Sequence, residues 1–398
     1  MGRKLLTSIA TIPDSVQRRP GALEGLAWNH SRGYVPLVAT AQRFEDLGYG
    51  EIRWQKRSLR DFGDQDLEQL ALNFDLLVID HPHVGRLASA GLIEPLEDRF
   101  ENGFLADLET GSVGRSFDSY WTEERLWALP IDAAAPVSSW RPDLMKESSI
   151  NPPETWEQLC DLARRGFVVI PATPVDSLMN LYMLCCGLGE QPFSGEAPAS
   201  YDIALEALQL LRELVRCCSP ECLQRDPIQT YRAMVLNNAG LYCPFAFGYS
   251  NYCRSGYAPV TLEFGGLVTL NGRSLQSTLG GAGIAISRNC RNQELAFGYI
   301  EWIASLSTQQ SIYFQAGGQP AHRAAWLDPN INSSCGKYFR NTLETVDFAY
   351  LRPRYNGYVE FQNRAGAEVH LYLRGRQSAA ETISAMSEAY FRSVEIAS

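Results

Sequence analysis

Apolar and polar positions follow a recurring order over the first ninety or so residues. Leu23 to Trp28 is a short apolar run that ends in the polar segment Asn29-His30-Ser31-Arg32-Gly33. Such a run reads as a buried strand followed by a loop. From Tyr34 to Leu47 the apolar residues Leu37, Val38, Ala41 and Phe44 recur at helical spacing, which predicts a helix. Glu51 to Arg57 alternates and predicts a second strand, and Asp66 to Leu72 a helix. Phe74 to Ile79 predicts a third strand, ending in Asp80-His81-Pro82-His83, and Val84 to Ala90 a short helix closed by Gly91. The order β-α-β-α-β predicts a mostly parallel sheet. In such sheets ligands bind beyond the carboxyl ends of the strands. Residues 28–33 and 80–83 both lie there.

Further along, Leu126 to Val137 is apolar and long enough to run from one domain into another. Thr155 is placed to cap a helix starting at Trp156, and Pro152-Pro153 exclude helix before it. Phe167 to Ile170 predicts a strand, and Val175 to Leu188 and Ile203 to Cys218 predict helices. Ala239 to Phe245 predicts a strand followed by an aromatic loop, Phe247 to Tyr252. Thr278 to Ile286 is Gly-rich and then β-like. Gln293 to Ser305 is a strongly amphipathic helix, and the chain closes on a helix from about Ala379 to Val394. Residues 1–20 show no clear periodicity and read as an arm.

Composition narrows the function classes. A length of 398 residues suits two or three domains, or one large one. A net charge of −10 argues against a protein that grips nucleic acid by neutralising phosphates, and gives no reason for binding to anionic lipid. No stretch approaches the roughly 18 apolar residues of a membrane span, so no membrane insertion is expected. Arg3-Lys4 precedes an apolar run, but Thr and Ser break it and no small-residue cleavage site precedes Gln17-Arg18-Arg19. A signal peptide is therefore not expected. The ten cysteines begin at Cys160 and contain two vicinal pairs and no C-x-x-C, which reads as buried thiols in a reducing cytoplasm. Cys218-x-x-x-Cys222 has no second pair or nearby His to complete a metal site. No phosphate loop and no G-x-S-x-G elbow is present. No metal and no cofactor are expected.

Several motifs occur in an order that carries more information than any one of them. They are Trp-Ala-Leu-Pro-Ile-Asp at 127–132, Pro-Pro-Glu-Thr-Trp-Glu-Gln-Leu at 152–159, and Gly280-Gly281-Ala282-Gly283-Ile284-Ala285-Ile286-Ser287. The helix from Ala296 to Ile303 follows, then Gln309 and Gly317-Gly318-Gln319-Pro320. The succession resembles the family 1 extracellular solute-binding proteins, the sugar-type binding components of ABC importers, over about residues 22–395. The resemblance implies an α/β, two-lobed periplasmic-binding-protein type II fold. Each lobe would be a mostly parallel sheet flanked by helices, and crossover strands would join them. One lobe would span 21–130 plus 279–325, the other 131–278 plus 326–398. The implied function is closure of the two lobes on a small polar metabolite, a carbohydrate or related compound. The implied partner is an ABC importer permease if the protein is exported. Family members normally carry a signal or lipoprotein sequence, so a periplasmic or cell-surface location follows only if the native start differs.

The candidate residues each have a bland alternative. Trp28, His30 and Tyr34 sit at a strand end, where an indole face can stack on a sugar or a cation; alternatively Trp28 is core and His30 caps the next helix. His81 and His83, two apart, face one way if their segment is extended. With Asp80 and His30 they offer ligand contacts, or ordinary hydrogen bonds around a Pro-containing turn. Asp132, on the crossover, can bind hydroxyls or cap local amides. Phe247 and Tyr249 are candidates for an aromatic wall, or part of a satellite core. Gly280 and Gly281 allow close approach of backbone to a ligand, or only form a turn. Tyr355 and Glu360 stand in a segment resembling a family cleft segment, or cap the following helix. The alternative function is a cytoplasmic enzyme on this scaffold, with His30, His81, His83 or Asp132 as acid or base.

Overall fold

A computed structural model of the protein describes residues 22–58 and 67–397. The expected N-terminal arm and the segment tested for a signal peptide lie outside the described residues. The chain divides into two compact units. One is the chain up to Ala133 with Gly281–Ile331; the other is Ala134–Gly280 with the chain from Asn332 onward. The two larger sheets are built from β1 (Ala22–Trp28), β2 (Glu51–Arg57), β3 (Leu76–Ile79), β4 (Leu129–Ala134), β5 (Pro136–Trp140), β6 (Tyr242–Phe247), β7 (Glu263–Gly265) and β8 (Gly280–Ile286).

The first unit holds a five-stranded sheet in the order β2-β1-β3-β8-β4. β1 pairs in parallel with β2 and with β3, whereas β8 runs antiparallel to β3, with Ile284 opposite Val78. The burial pattern follows strand position. On the edge strand β2, Ile52 and Trp54 are buried while Arg53 and Gln55 are exposed; all four residues of β3 are buried. An edge strand has one wet face and an inner parallel strand has none. The helix Tyr34–Asp46 buries Leu37, Ala41 and Phe44 at helical spacing. Asn292 caps the helix Gln293–Ala304, its side chain accepting from the Leu295 amide. Phe44 meets Tyr299 edge-on at 5.3 Å and Trp302 at 5.5 Å. Burial of each such side chain contributes about 1.5–3 kcal/mol, so these two helices are joined to the sheet by one aromatic core.

In the second unit the expectation of a mostly parallel sheet is corrected. Its sheet has the order β6-β5-β7, and both pairings are antiparallel. The expected strand Phe167–Ile170 is a single parallel bridge, Val168 with Tyr242. Pro171 has no N–H to continue the ladder. Helices do most of the packing. Thr155 caps Trp156–Arg164 by accepting from the Gln158 amide at 3.3 Å. The helix Pro174–Leu188 is buried almost all round. A helix apolar on every face belongs inside a domain, and this one shares its core with Tyr201–Arg216 and Tyr358–Leu373. The described chain ends in the helix Ala379–Ala397. All ten cysteines are thiols. Among the described residues no helix is long and apolar enough to cross a membrane.

Candidate functional site

Because β1 and β3 are parallel neighbours, their carboxyl ends finish at the same edge of the first sheet. The chain turns sharply after β1. The Gly33 and Tyr34 amides both donate to the His30 carbonyl, at 3.0 and 2.8 Å. The turn lies directly over Trp28: a Cβ on Gly33 would stand 2.3 Å from the indole. Only glycine fits there. Trp28 is 3% exposed and belongs to the core of the first unit. An indole so covered has little face to offer a sugar. Tyr34 points toward β2, where its hydroxyl donates to the Trp54 carbonyl at 3.2 Å and Lys56 stands 5.0 Å over its ring.

The turn also delivers Arg32 into the interior. Its guanidinium grips the Asp132 carboxylate as a fork, Nε donating to Oδ2 at 2.8 Å and Nη2 donating to Oδ1. The two side chains are 5% and 0% exposed. Burial pushes the Asp132 carboxyl up, against the pull of the Arg32 guanidinium. Such planar, bidentate geometry is what makes a buried arginine–carboxylate pair hold. Gly281 stands on the other side of Asp132. It has φ +114°, and a Cβ there would sit 2.2 Å from the Asp132 carbonyl oxygen. Glycine at 281 thus lets β8 close on β4.

His30 is held neutral. The Arg32 amide donates to its Nδ1 at 3.0 Å, which a protonated ring could not accept. Burial first, and the Arg32 charge second, bring its pKa down to about 3. A base held that low takes up protons weakly near neutrality, so the acid/base reading finds no support in His30. Tyr313, on the π-helical turn Gln309–Tyr313, carries a buried hydroxyl with no hydrogen-bond partner among the described residues. Burial, and next the Asp132 charge, push that hydroxyl well up.

After β3 the expected extended segment is corrected to a 3-10 turn, His81–His83. Asp80 Oδ1 accepts from the His81 amide at 2.9 Å, and Pro82 is preset for the first turn. His81 and His83 are therefore buried in a turn rather than ranged along one face of a strand, and His81 Nδ1 lies 3.2 Å from Asp80 Oδ1. The Asp80 carboxylate remains partly exposed at the edge.

The second unit gathers the other candidates. Phe247 ends β6, half-buried, so it stands on the strand and not in the following loop. Gly280 faces it: a Cβ there would sit 2.4 Å from the Phe247 ring. Tyr249 is buried and meets Tyr231 at 6.1 Å, and Tyr231 also meets Tyr252 at 5.1 Å and Phe264 at 5.5 Å. That cluster packs as a satellite core. Tyr355 is half-buried, its hydroxyl sharing a 2.7 Å hydrogen bond with Ser393. The structure thus brings His30, Asp80, Asp132 and Gly281 into the first unit, and Phe247, Tyr249, Gly280 and Tyr355 into the second. Sequence reading missed Arg32 and Tyr313. A lone Asp within the apolar run 126–137 signals a buried cation, but 31 arginines compete for the role.

Comparison with known proteins agrees with this architecture. The model of the bacterial extracellular solute-binding protein family matches residues 44–166. Maltose-bound MalE3 of T. maritima superposes with a TM-score of 0.82 at 18% identity, covering 93% of this chain and 99% of that one. A solute-binding protein of Thermotoga lettingae bound with alpha-D-tagatose gives 0.79 at 18% identity, over 95% and 100%. One from Agrobacterium radiobacter K84 in complex with ribitol gives 0.77 at 19% identity, over 94% and 98%. By the family match over residues 44–166 and by fold over more than nine-tenths of its length, the chain belongs with the bacterial extracellular solute-binding proteins of family 1.

Proposed function

We propose that the protein binds a small polar carbohydrate or polyol without transforming it. What carries the reading is the fold shared, end to end, with proteins solved with maltose, tagatose and ribitol. The edge beyond β1 and β3 supports it. There Asp80 supplies an acceptor for sugar hydroxyls and neutral His30 supplies a donor, on a turn held by the Arg32–Asp132 pair. Neutral donors and acceptors around a few fixed polar groups are what an uncharged polyol needs. Phe247 and Tyr249 are the aromatic candidates of the second unit. Asp132, Gly280 and Gly281 act by shaping the backbone, and Trp28 by supporting the turn.

An ABC importer permease is the partner this reading implies for an exported form. The ten thiols support a reducing compartment instead, and labelling of intact cells with membrane-impermeant against permeant thiol reagents separates the two.

Calorimetric titration with maltose, D-tagatose and ribitol tests the function, together with mass spectrometry of a metabolite extract incubated with the protein. One compound retained unchanged, bound about tenfold or more weakly by Asp80→Ala with unaltered unfolding, is the expected result. A new mass accumulating beyond protein stoichiometry would instead mean an enzyme.

A further inference from the structure

We infer that Cys253 and Cys335 are a paired site for an intramolecular disulfide within the second unit. Cys253 ends the 3-10 turn Ser250–Cys253, and Cys335 precedes the helix Tyr338–Asp347. The two segments run alongside each other at two points. The Tyr338 hydroxyl lies 2.1 Å from where a Cβ on Gly248 would stand. Cys253 Cβ lies 3.5 Å from where a Cβ on Gly336 would stand. The Tyr338 ring, meeting Phe264 edge-on at 5.1 Å, fixes this alignment from the far side. Cys253 thus faces the residue next to Cys335, at a spacing close to the Cβ–Cβ separation of disulfides. The two sulfurs lie within electrostatic reach of each other, and Arg254 within reach of both.

The pair differs from the vicinal cysteines in joining segments far apart in sequence. A bond there closes a long loop and so removes much freedom from the unfolded chain. It would also tie the turn that follows Tyr249 to the segment with which the chain re-enters the second unit. Cys253 is 6% and Cys335 0% exposed. Burial pushes the Cys335 thiol up to about 11 and the Cys253 thiol up as well. Thiolate is therefore scarce in the folded protein, and the bond forms while the chain folds in an oxidising medium.

The oxidant is a small-molecule disulfide such as oxidised glutathione. The Cys253 thiolate attacks one of its sulfurs, forming a mixed disulfide and releasing one glutathione thiolate. The Cys335 thiolate then attacks the Cys253 sulfur, forming the protein disulfide and releasing the second. Two protein sulfurs are oxidised, one glutathione disulfide is reduced, and the two protons from the cysteines pass to the two glutathiones.

The test refolds the full chain from denaturant in a glutathione buffer, with and without excess dithiothreitol. Thiols are then alkylated and the digest mapped by mass spectrometry. The expected result is a Cys253–Cys335 cross-linked peptide in the oxidised sample alone, with a raised thermal midpoint that falls back on reduction. In Cys253→Ser, the more accessible and milder change, Cys335 is expected to be alkylated and the redox-dependent midpoint shift lost. Alkylation of both residues as thiols in the oxidised wild-type protein, or cross-linking of either to another cysteine, would overturn the inference. The wild-type map decides this even where a variant fails to fold.

Discussion

Removing the Asp132 carboxylate is the sharpest test of the first unit. The Arg32 and Asp132 side chains are 5% and 0% exposed and joined by two N–H···O bonds. Asp132→Ala leaves a guanidinium buried without its counter-charge. Breaking such a pair costs about 3–5 kcal/mol, enough to lower the folded fraction of a marginally stable unit by about two to three orders of magnitude. Arg32→Met leaves the carboxyl instead, and that side behaves differently with pH. Burial already drives Asp132 upward, and without Arg32 nothing opposes it. Its folded pKa then stands above the unfolded value of about 3.9. The folded state binds more protons, so the stability of Arg32→Met falls as pH rises from about 4. The double variant Arg32→Met/Asp132→Leu removes both charges and recovers most of the loss. Amide hydrogen exchange in β1, β3 and β4 reads the first unit directly, and the four proteins form a double-mutant cycle. A coupling energy of about 2 kcal/mol or more is expected. A cost below about 1 kcal/mol for Asp132→Ala, or a coupling near zero, would refute the argument.

Three further outcomes follow from the same geometry. His30 is lowered to about 3, so its contribution is intact above its ordinary value of 6.5 and is lost as pH falls toward 3, at up to about 1.4 kcal/mol per pH unit. His30→Gln should flatten that part of the acid limb of denaturation, and parallel curves for the two proteins between pH 6.5 and 4 would contradict it. Gly281→Ala forces a Cβ to 2.2 Å from the Asp132 carbonyl at φ +114° and should cost at least about 2 kcal/mol in urea unfolding; a cost near zero would show that β8 and β4 separate freely. Tyr313→Phe removes a buried hydroxyl that lacks a partner, so stability should stay level or rise by about 1 kcal/mol. A thermal midpoint several degrees lower would mean that the hydroxyl is paired.

Local periodicity by itself determined most of the elements. The run 23–28, the helical spacing of Leu37, Ala41 and Phe44, and the alternation of 51–57 each encode their own backbone, because the buried face repeats at the period of the element. The cap at Thr155 was likewise legible, since a cap joins residues only three apart. The succession of motifs carried the family and its fold. Tertiary structure alone decided the rest. Asp132 needed a cation, but its partner stands a hundred residues away among many arginines, and no local rule selects Arg32. The antiparallel order β6-β5-β7 depends on which strands meet, which apolar runs do not state. Pro82 made a tight turn where a strand end was expected, burying His81 and His83. Gly281 fits either a turn or a close approach by composition. Only the position of the Asp132 carbonyl settles which, because contact across strands is a property of packing and not of spacing along the chain.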